Sequence, residues 1–259
     1  MDESKQVDAV SLDLFNTLIY HREGHGRGRA LIAYLTEHGF QPRPWEHGVL
    51  YEILELHADS YSPDAPPDAR DAYFRLLARR VFERLHISTS PDEAEVHRHA
   101  LWQILGPDCF GLFPEVIDTL RDLKRRGYPL VLISNWQRGA AHYCSELGLA
   151  SFFDHILGSA DLDVAKPDPG IFDEASSLLG VEPARIVHVG DTWNDDYLGG
   201  QSAGFQVCLI DRDAAGSHQA SNVIRSLAEL PTLLTGRSWA TRRARRVVPC
   251  PDPREPPPG

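Results

Sequence analysis

Polar residues at four places in this sequence stand at, or directly after, short apolar segments, and their side chains suit one kind of chemistry. They are Asp13 after "AVSL", Ser134 and Asn135 after "LVLI", Lys166 in "VAKPDP", and Asp191 after "IVHVG". Asp13 and Asp191 offer the hard oxygen ligands that Mg²⁺ takes, whereas a hydroxyl and an ammonium group suit the oxygens of a phosphoryl group. A metal ion between two carboxylates also lets an anionic nucleophile approach an anionic phosphate. The set therefore indicates metal-assisted chemistry on a phosphoryl group.

The segments that must position these residues alternate between helix and strand from Pro114 onward. In order they are helix "PEVIDTLRDLKRRG", strand "YPLVLIS", helix "GAAHYCSELGL", strand "HILGS", helix "IFDEASSLLG", strand "RIVHVGD", a short helix, and strand "QVCLID". This alternation predicts an α/β fold, a doubly wound, Rossmann-like parallel sheet with helices on both faces. The carboxyl ends of such strands lie along one edge of the sheet, so the polar residues converge on one crevice.

The block between the first strand and this alternating region has a different pattern. It shows no clear strand, and its apolar residues recur at spacings of three and four, as in Tyr73, Phe74 and Leu77, which is typical of amphipathic helices. The strand Ala9 to Leu12 must pair with strands that follow this whole block. We therefore predict a core of residues 7–18 and 111–235, with residues 19–110 inserted as an all-helical cap domain that closes a pocket beside the strand ends.

Composition limits the classes of partner. The 259 residues are 42% hydrophobic, which is enough for a sizeable core. Acidic residues outnumber basic ones by 37 to 26, which gives a net charge of -11 and argues against a nucleic-acid-binding surface. The sequence contains no apolar run of transmembrane length and no targeting segment. We expect a small-molecule substrate, no membrane association and a cytoplasmic protein, whereas the oligomeric state stays open.

Two further features concern the cysteines and the tail. The four cysteines, Cys109, Cys144, Cys208 and Cys250, lack paired spacing, so we expect buried free thiols rather than a zinc site or disulfides. Residues 236–259 are rich in Arg and Pro and have no periodicity, which predicts a disordered tail.

The ordered motifs resemble those of the haloacid dehalogenase superfamily, in the subfamily that carries a helical cap between its first two motifs. The residues that match are "DLFNTL" from Asp13 to Leu18, Ser134-Asn135, Lys166-Pro167, and Gly190-Asp191 with Asp195-Asp196. The resemblance extends from about Val10 to Asp211. Each short motif is a weak signal alone, but four in this order, each after a predicted strand, are a strong one.

The resemblance implies a role for each matching residue. Asp13 would be the nucleophile that forms a covalent aspartyl intermediate, and Lys166 would neutralise both the nucleophile and the developing charge. Ser134 would bind a phosphoryl oxygen, and Asn135 beside it would contact the substrate. Thr17 would brace the nucleophile loop through its hydroxyl and is grouped with the substrate-binding residues.

The resemblance also implies a magnesium site. Asp13 and Asp191 would bind Mg²⁺ with help from the backbone carbonyl of Phe15. Asp196 would lie in direct contact with the ion or one position removed from it, and its neighbour Asp195 is the alternative for this role. Asp168, in "KPDP", is interpreted as structural.

Phe15 departs from the pattern of phosphatases in this superfamily. They usually carry a second Asp two residues after the nucleophile, which protonates the leaving alkoxide and then activates water. Phe15 does neither, and losing general acid catalysis costs about 10²–10⁴-fold in rate, or about 3–5 kcal/mol of barrier. The penalty shrinks for a leaving group that is stable as an anion. An acid from the cap, from the loop with His21, Glu23 and His25, or from water is left open.

These observations favour a Mg²⁺-dependent hydrolase, a phosphatase that acts on a small phosphorylated metabolite, with aryl or acyl phosphates as the preferred class. One alternative is a 2-haloacid dehalogenase, because a halide leaves without a proton and that branch carries an aromatic Tyr at the position of Phe15. The dehalogenases lack the aspartate-based metal site that Asp191 preserves. A second alternative is a phospho-ligand-binding protein with weakened catalysis. Trp136 and Trp193 follow the second and fourth motifs, and one of them is a candidate for the pocket wall.

Overall fold

A computed structural model describes residues 7–22, 33–39, 109–136, 138–213 and 220–235, together with scattered residues between 72 and 90. In this part of the chain, six strands form a parallel sheet. They are β1 (Ala9–Leu12), β4 (Leu130–Ser134), β5 (His155–Gly158), β6 (Ile186–Gly190), β7 (Gln206–Ile210) and β8 (Val223–Ile224). Their order in the sheet is β5-β4-β1-β6-β7-β8. The short strands β2, Ile19–His21, and β3, Phe110–Leu112, pair with each other outside this sheet.

The strand order places a crevice beside the central strand. Leu12 of β1 lies opposite Leu132 of β4 on one side and Val189 of β6 on the other. The chain builds β4 and β5 outward on one side and then crosses over to build β6, β7 and β8 on the other. Ligands of doubly wound sheets bind outside the carboxyl ends of the strands where this reversal occurs. The predicted α/β fold is confirmed.

Helices cover both faces of the sheet. They are Val116–Arg125, Ala140–Glu146, Ser159–Leu162, Pro169–Leu179, Gly199–Ser202 and Leu230–Thr235, with a π-helix at Trp193–Leu198. Successive side chains of a strand point to opposite faces. Leu12 packs in a core cluster with Leu120, whereas Ala9 of the same strand packs in another cluster with Phe172. The two clusters therefore lie on opposite faces, each beneath its own helices.

Some predicted elements differ from the structure. The sequence predicted no strand between the first strand and residue 110, but β2 is one, and β3 and β8 were also missed. All three are only two or three residues long, too short to show an alternating pattern. The partner of β2 is also distant in the sequence, so no hairpin turn signals it.

The antiparallel pair of β2 and β3 flanks the block of sequence that is predicted to form the cap. The amide of Arg22 donates to the carbonyl of Cys109 over 2.8 Å, and its Nε donates to the carbonyl of Phe110 over 2.9 Å. Residues 33–37 are helical, as are residues 72, 75–76, 79–80 and 82–83. The rest of the predicted cap and the tail 236–259 lie outside the described residues, so the domain bounds stay predictions.

The cysteine prediction is confirmed where the structure describes it. Cys109, Cys144 and Cys208 are buried free thiols, and burial raises the pKa of Cys144 to about 12. Cys250 lies outside the described residues. Among the helices that the structure describes, no helix combines the length and the apolar character needed to cross a bilayer.

Arg212, just after β7, fixes the loop that follows Asp13. Its guanidinium donates to the backbone carbonyls of Asn16 (2.9 Å) and Thr17 (2.6 Å). It also donates to Glu115 Oε1 over 2.8 Å and lies 3.5 Å from the centroid of the Phe113 ring. Asn16 has φ +56°, a left-handed conformation that few residues other than Gly and Asn adopt easily. The Arg212 side chain therefore holds this loop by donating to two of its backbone carbonyls.

Glu115 links Arg212 to a second turn. Its Oε1 also accepts from Ser226 Oγ (3.1 Å) and from the amide of Leu227 (3.2 Å). Burial opposes ionisation of this carboxyl, but the hydrogen bonds and charge of Arg212 outweigh it and hold the pKa of Glu115 below its usual range. The carboxylate is therefore ionised at neutral pH and keeps its partner.

Replacement of Arg212 by Met keeps the aliphatic stem and removes the donors, so Arg212→Met is expected to lower the free energy of unfolding by about 2 kcal/mol. The matched control is Arg121→Met, which breaks an exposed pair with Asp118 (55% and 85% exposed side chains) and is expected to change it by less than about 0.5 kcal/mol. Urea denaturation measures both. Equal losses in the two variants would contradict the bracing role.

Candidate active site

The predicted site residues meet at one edge of the sheet. Asp13 directly follows β1, Ser134 ends β4 and Asp191 directly follows β6, while Lys166 comes from the loop before helix Pro169–Leu179. The amide of Asp13 donates to the carbonyl of Val189 in β6 over 2.9 Å, which extends the pairing of the two strands past the end of β1. The convergence predicted from the strand ends is therefore present in the structure.

The ammonium group of Lys166 lies between two carboxylates. Its Nζ is 2.7 Å from Asp13 Oδ1 and 2.5 Å from Asp196 Oδ1, and only 3% of the side chain is exposed. Burial opposes the charge, but the two carboxylates outweigh burial and keep the pKa of Lys166 above its usual range. Lys166 is therefore a cation throughout the neutral range, and it is the group that holds Asp13.

Asp196 is fully engaged by hydrogen bonds. Oδ1 accepts from Lys166 Nζ and lies 3.0 Å from His188 Nε2. Oδ2 accepts from the amide (2.9 Å) and the hydroxyl (2.6 Å) of Thr192. A Cβ added to Gly190 would lie 2.1 Å from Asp196 Cγ, so only glycine there leaves room for this carboxylate. Although burial opposes ionisation, Lys166 and His188 lower the pKa of Asp196.

The structure separates Asp196 from Asp195, which the sequence left as alternatives. Asp196 is buried beside Lys166, whereas Asp195 lies nearer the surface with Oδ2 3.4 Å from Asn135 Nδ2. Both residues belong to the π-helix Trp193–Leu198. Because they are adjacent in it, their side chains point in different directions, and only that of Asp196 points into the interior.

A group of aspartate oxygens has the chemistry of a divalent-cation site. One oxygen each from Asp13, Asp191 and Asp196 lies within 4.8 Å of the others. Burial, then repulsion from Asp13 and Asp196, raises the pKa of Asp191 to about 7. Burial likewise raises the pKa of Asp13. The negative charge exceeds what Lys166 neutralises, and hard oxygen donors in this number suit Mg²⁺.

Asn135 and Ser134 occupy different environments. The Asn135 side chain accepts from the Lys166 amide (2.8 Å) and donates to the Lys166 carbonyl (2.9 Å), so it fixes the backbone that carries the ammonium group. The sequence predicted substrate contact for Asn135 and missed this role. Ser134 is buried at the end of β4, opposite Gly158 of β5.

Thr17 and Asp168 have different outcomes. Thr17 is buried, but its hydroxyl has no hydrogen-bond partner among the described residues, and its carbonyl accepts from Arg212 instead. The loop is therefore held at Thr17 through its backbone carbonyl and not through the predicted hydroxyl. Asp168 begins helix Pro169–Leu179 and accepts from the amide of Gly170 over 2.8 Å, which confirms its structural interpretation.

Phe15 belongs to an aromatic cluster, defined here as Phe15, Phe110, Trp136 and Tyr143. Their ring centroids follow one another at 6.0, 5.4 and 5.5 Å. Trp193 packs elsewhere and stacks on Tyr197 at 4.7 Å. Of the two tryptophans proposed as a pocket wall, Trp136 is thus the one that adjoins Phe15. Metal binding by the Phe15 carbonyl stays a prediction.

His21 was predicted in the loop after the first motif, but it lies buried in β2 with its ring 6.0 Å from that of Phe110. The sequence placed it in a loop because the partner strand β3 is so distant. Glu23 and His25, the other acids considered from this loop, lie outside the described residues.

Two buried residues of the site were missed by sequence reasoning. They are Ser11 in β1 and His188 in β6, which lie opposite each other in the strand register and are joined by a hydrogen bond of 2.8 Å from Ser11 Oγ to His188 Nδ1. The available signal was a polar residue inside each apolar strand, "AVSL" and "IVHVG". Only the strand register shows that the two residues meet.

A doubly wound sheet with a lysine held between aspartates at its carboxyl edge has the architecture of an α/β enzyme. Residues 7–204 match the family model of haloacid dehalogenase-like hydrolases. The chain belongs to this family of hydrolases.

Relatives cover most of the chain. A glyceraldehyde 3-phosphate phosphatase from Methanothermobacter thermautotrophicus is 34% identical over 245 residues, 88% of this chain and 100% of that protein. Haloacid dehalogenase-like hydrolase domain-containing protein 3 from Homo sapiens is 37% identical over 235 residues, 87% of this chain and 92% of that protein. Its namesake from Danio rerio is 35% identical over 133 residues, and the match spans only 55% of that protein.

Solved structures of two activities are similar to this fold. A haloacid dehalogenase-type phosphatase from Thermococcus onnurineus has a TM-score of 0.57 and 25% identity, over 89% of this chain and 99% of that chain. A 2-haloacid dehalogenase from Pseudomonas syringae has a TM-score of 0.58 and 28% identity, over 88% and 98%. The fold therefore accommodates both activities, and the site residues must discriminate between them.

The neighbouring aspartates offer an isosteric test of the buried network. Asp196→Asn places an amide NH₂ against groups that already donate, so we expect the free energy of unfolding to fall by about 3 kcal/mol. The control Asp195→Asn changes a half-exposed side chain and is expected to shift it by less than about 0.5 kcal/mol. Thermal and urea unfolding at pH 7 measure the difference. Comparable stability of the two variants would show that Asp196 is not the anchor described.

Proposed function

We propose that this protein is a Mg²⁺-dependent phosphatase that acts on a small phosphorylated metabolite. The observation that carries the proposal is the position of Asp13, which is held by Lys166 and lies within the same group of oxygens as Asp191. The Asp13 carboxylate has the Lys166 ammonium group on one side and the Asp191 carboxylate on the other. This arrangement suits attack on a phosphoryl group with help from a metal ion.

Asp13 is the proposed nucleophile. Oδ1 of its carboxylate accepts from Lys166, so we assign Oδ2 as the attacking oxygen. It forms a bond to phosphorus while the ester P–O bond breaks and the alcohol oxygen leaves with the electron pair. Water then attacks the phosphorus atom, the bond between phosphorus and Oδ2 breaks, and one proton of the water passes to the departed alkoxide, which leaves inorganic phosphate and the Asp13 carboxylate. Lys166 stays protonated throughout and stabilises the charge on Oδ1.

The residues that would hold Mg²⁺ are Asp13, Asp191 and the backbone carbonyl of Phe15. When bound there, the ion supplies charge that screens the carboxylates from the phosphate. The carboxylate oxygens of Asp196 are engaged by Lys166, His188 and Thr192. We therefore propose that Asp196 does not bind the ion directly and instead holds Lys166 in place. Ser134 and Asn135 stay the proposed contacts for the phosphoryl group.

Asp191 favours the phosphatase over the dehalogenase. Its carboxylate stands beside Asp13, where like charges are costly without a cation between them, and it accepts from Asn16 Nδ2 over 3.1 Å. A halide leaves an alkyl carbon without need of a metal ion. The relative named glyceraldehyde 3-phosphate phosphatase, which this chain matches over 100% of its length, supports the same assignment.

Phe15 supports activated substrates. It is packed edge-on against Phe110 and offers no proton to a departing alkoxide. Leaving groups that are stable as anions, such as phenolates and carboxylates, avoid this requirement, so we assign aryl and acyl phosphates as the better substrates and alkyl phosphates as the slower ones.

Phosphate release from an aryl, an acyl and an alkyl phosphate tests the proposal. We expect Mg²⁺-dependent turnover in the order acyl and aryl above alkyl, with a gap of about 10²-fold or more because only the alkoxide needs a general acid. Asp13→Asn is expected to abolish release of all three. Silence of the wild-type protein on every phosphate, with halide release from 2-haloacids, would establish the dehalogenase instead. Release of neither phosphate nor halide would favour the phospho-ligand-binding protein.

Thermal unfolding with Mg²⁺ or with chelator tests the metal site separately from turnover. Mg²⁺ at about 100 times its Kd stabilises a protein by about 2.7 kcal/mol, and we expect a corresponding rise in Tm for the wild type. Asp191→Asn is expected to lose most of this rise because the site loses a charged ligand. The control Asp173→Asn, an exposed position of helix Pro169–Leu179, keeps it. An equal rise in all three proteins would place the ion elsewhere.

A further inference from the structure

We propose that His188 is a positioning residue for catalysis, because its hydrogen bond to Asp196 sets the place of the Lys166 ammonium group beside Asp13. This inference rests on the proposed function and adds a residue that does not touch the substrate. It connects the interior of the sheet to the nucleophile through a continuous series of side chains.

The series begins in the middle of the sheet. Ser11 of β1 and His188 of β6 are register partners, with 2.8 Å between Oγ and Nδ1. The opposite ring nitrogen, Nε2, is 3.0 Å from Asp196 Oδ1. That oxygen is also 2.5 Å from Lys166 Nζ, which in turn reaches Asp13. Every link lies within hydrogen-bond distance.

The Asp196 carboxylate fixes the direction of the hydrogen bonds along this series of side chains. The Asp196 carboxylate, bound to an ammonium group, only accepts, so His188 must carry a proton on Nε2. In a neutral ring Nδ1 then accepts, and the Ser11 hydroxyl donates to it. Ser11 therefore selects the tautomer of His188 that donates to Asp196. Fixing a ring tautomer through its other nitrogen is a general way in which proteins orient a histidine.

The surroundings make this placement specific. His188 is 1% exposed and follows Ile186 on the same face of a strand that is otherwise apolar. The rings of Phe172 and His188 pack nearly perpendicular to each other, with 5.2 Å between their centroids. An unpaired imidazole in such a layer is costly, so an aliphatic residue would be the simpler choice if packing were the only demand. Gly190, next on this face, leaves the space through which Asp196 reaches the ring.

The consequence reaches the reaction through Lys166. Oδ1 of Asp196 is shared by His188 and Lys166, whereas Oδ2 is held by Thr192. Without the His188 bond, Oδ1 can turn away from its position, and Lys166 Nζ follows it. Small displacements of a catalytic group are expensive in rate. Substrate binding is unaffected, because His188 lies beneath the site.

Two amide variants separate the hydrogen bonds. His188→Gln places an amide at the distance of Nε2 and keeps a donor for Asp196, whereas His188→Asn reaches only the position of Nδ1 and keeps contact with Ser11. Both lose the aromatic contact with Phe172, and Asn also fills less volume than Gln, so urea unfolding of both variants is measured beside kcat to separate lost packing from the lost hydrogen bond. We expect kcat to fall by at least about tenfold for His188→Asn and by less than about threefold for His188→Gln, with KM within about twofold of wild type in both.

The assay is phosphate release from an aryl phosphate with Mg²⁺. Equal kcat values for the two variants, or a wild-type kcat in His188→Asn, would overturn the inference. Failure of the proposed function is seen elsewhere, in a wild-type protein that releases no phosphate. In this assay, the present inference fails when the wild type turns over and the kcat of His188→Asn equals that of the wild type or of His188→Gln.

A spectroscopic measurement keeps the inference testable if a variant does not fold. Nitrogen-15 NMR of histidine-labelled wild-type protein, with Ser11→Ala for comparison, reports which ring nitrogen carries the proton. A proton on Nε2 of His188 in the wild type supports the donation to Asp196. A ring protonated only on Nδ1 would overturn it.

Discussion

The burial of the Lys166 ammonium group between Asp13 and Asp196 is the constraint on which the rest of the site depends. A charge in the interior is tolerated only when partners surround it at hydrogen-bond distance. The other features of the site serve this requirement. Asn135 fixes the Lys166 backbone from both sides, and Gly190 leaves room for the Asp196 carboxylate. The strand order of the sheet brings these pieces together from segments far apart in the chain.

The same arrangement leaves more negative charge than Lys166 neutralises. Asp13 and Asp196 already share its ammonium group, and Asp191 adds a carboxylate whose pKa is raised to about 7 by burial and repulsion. A phosphate brought to such a group would be repelled unless a cation joined it. The electrostatics that make Lys166 stable therefore also make a divalent ion the natural complement of the site. Displacement of a halide from the carbon atom of a 2-haloacid requires no such complement at the attacked atom.

The sequence alone predicts the site residues whose positions depend only on the ends of parallel strands. Asp13 and Asp191 each directly follow a strand, and the rule for parallel sheets brings strand ends together. The sequence favoured Asp196 but kept Asp195 as the alternative, because adjacent residues of one helical turn differ only in the phase of the helix. The pairing of Ser11 with His188 depends on strand register, which the motifs leave undefined. The β2 strand was missed because it is short and its partner lies far away in the sequence.

Phe15 connects the chemistry to the strand that follows the predicted cap. Its ring packs on Phe110, which belongs to β3. On the proposed function, Lys166, Asp191 and the metal ion handle the phosphoryl group, whereas an apolar ring stands where related phosphatases carry an acid. Charge then selects the phosphate, and the aromatic cluster selects the leaving group. Two separate physical properties thereby control the two halves of one substrate.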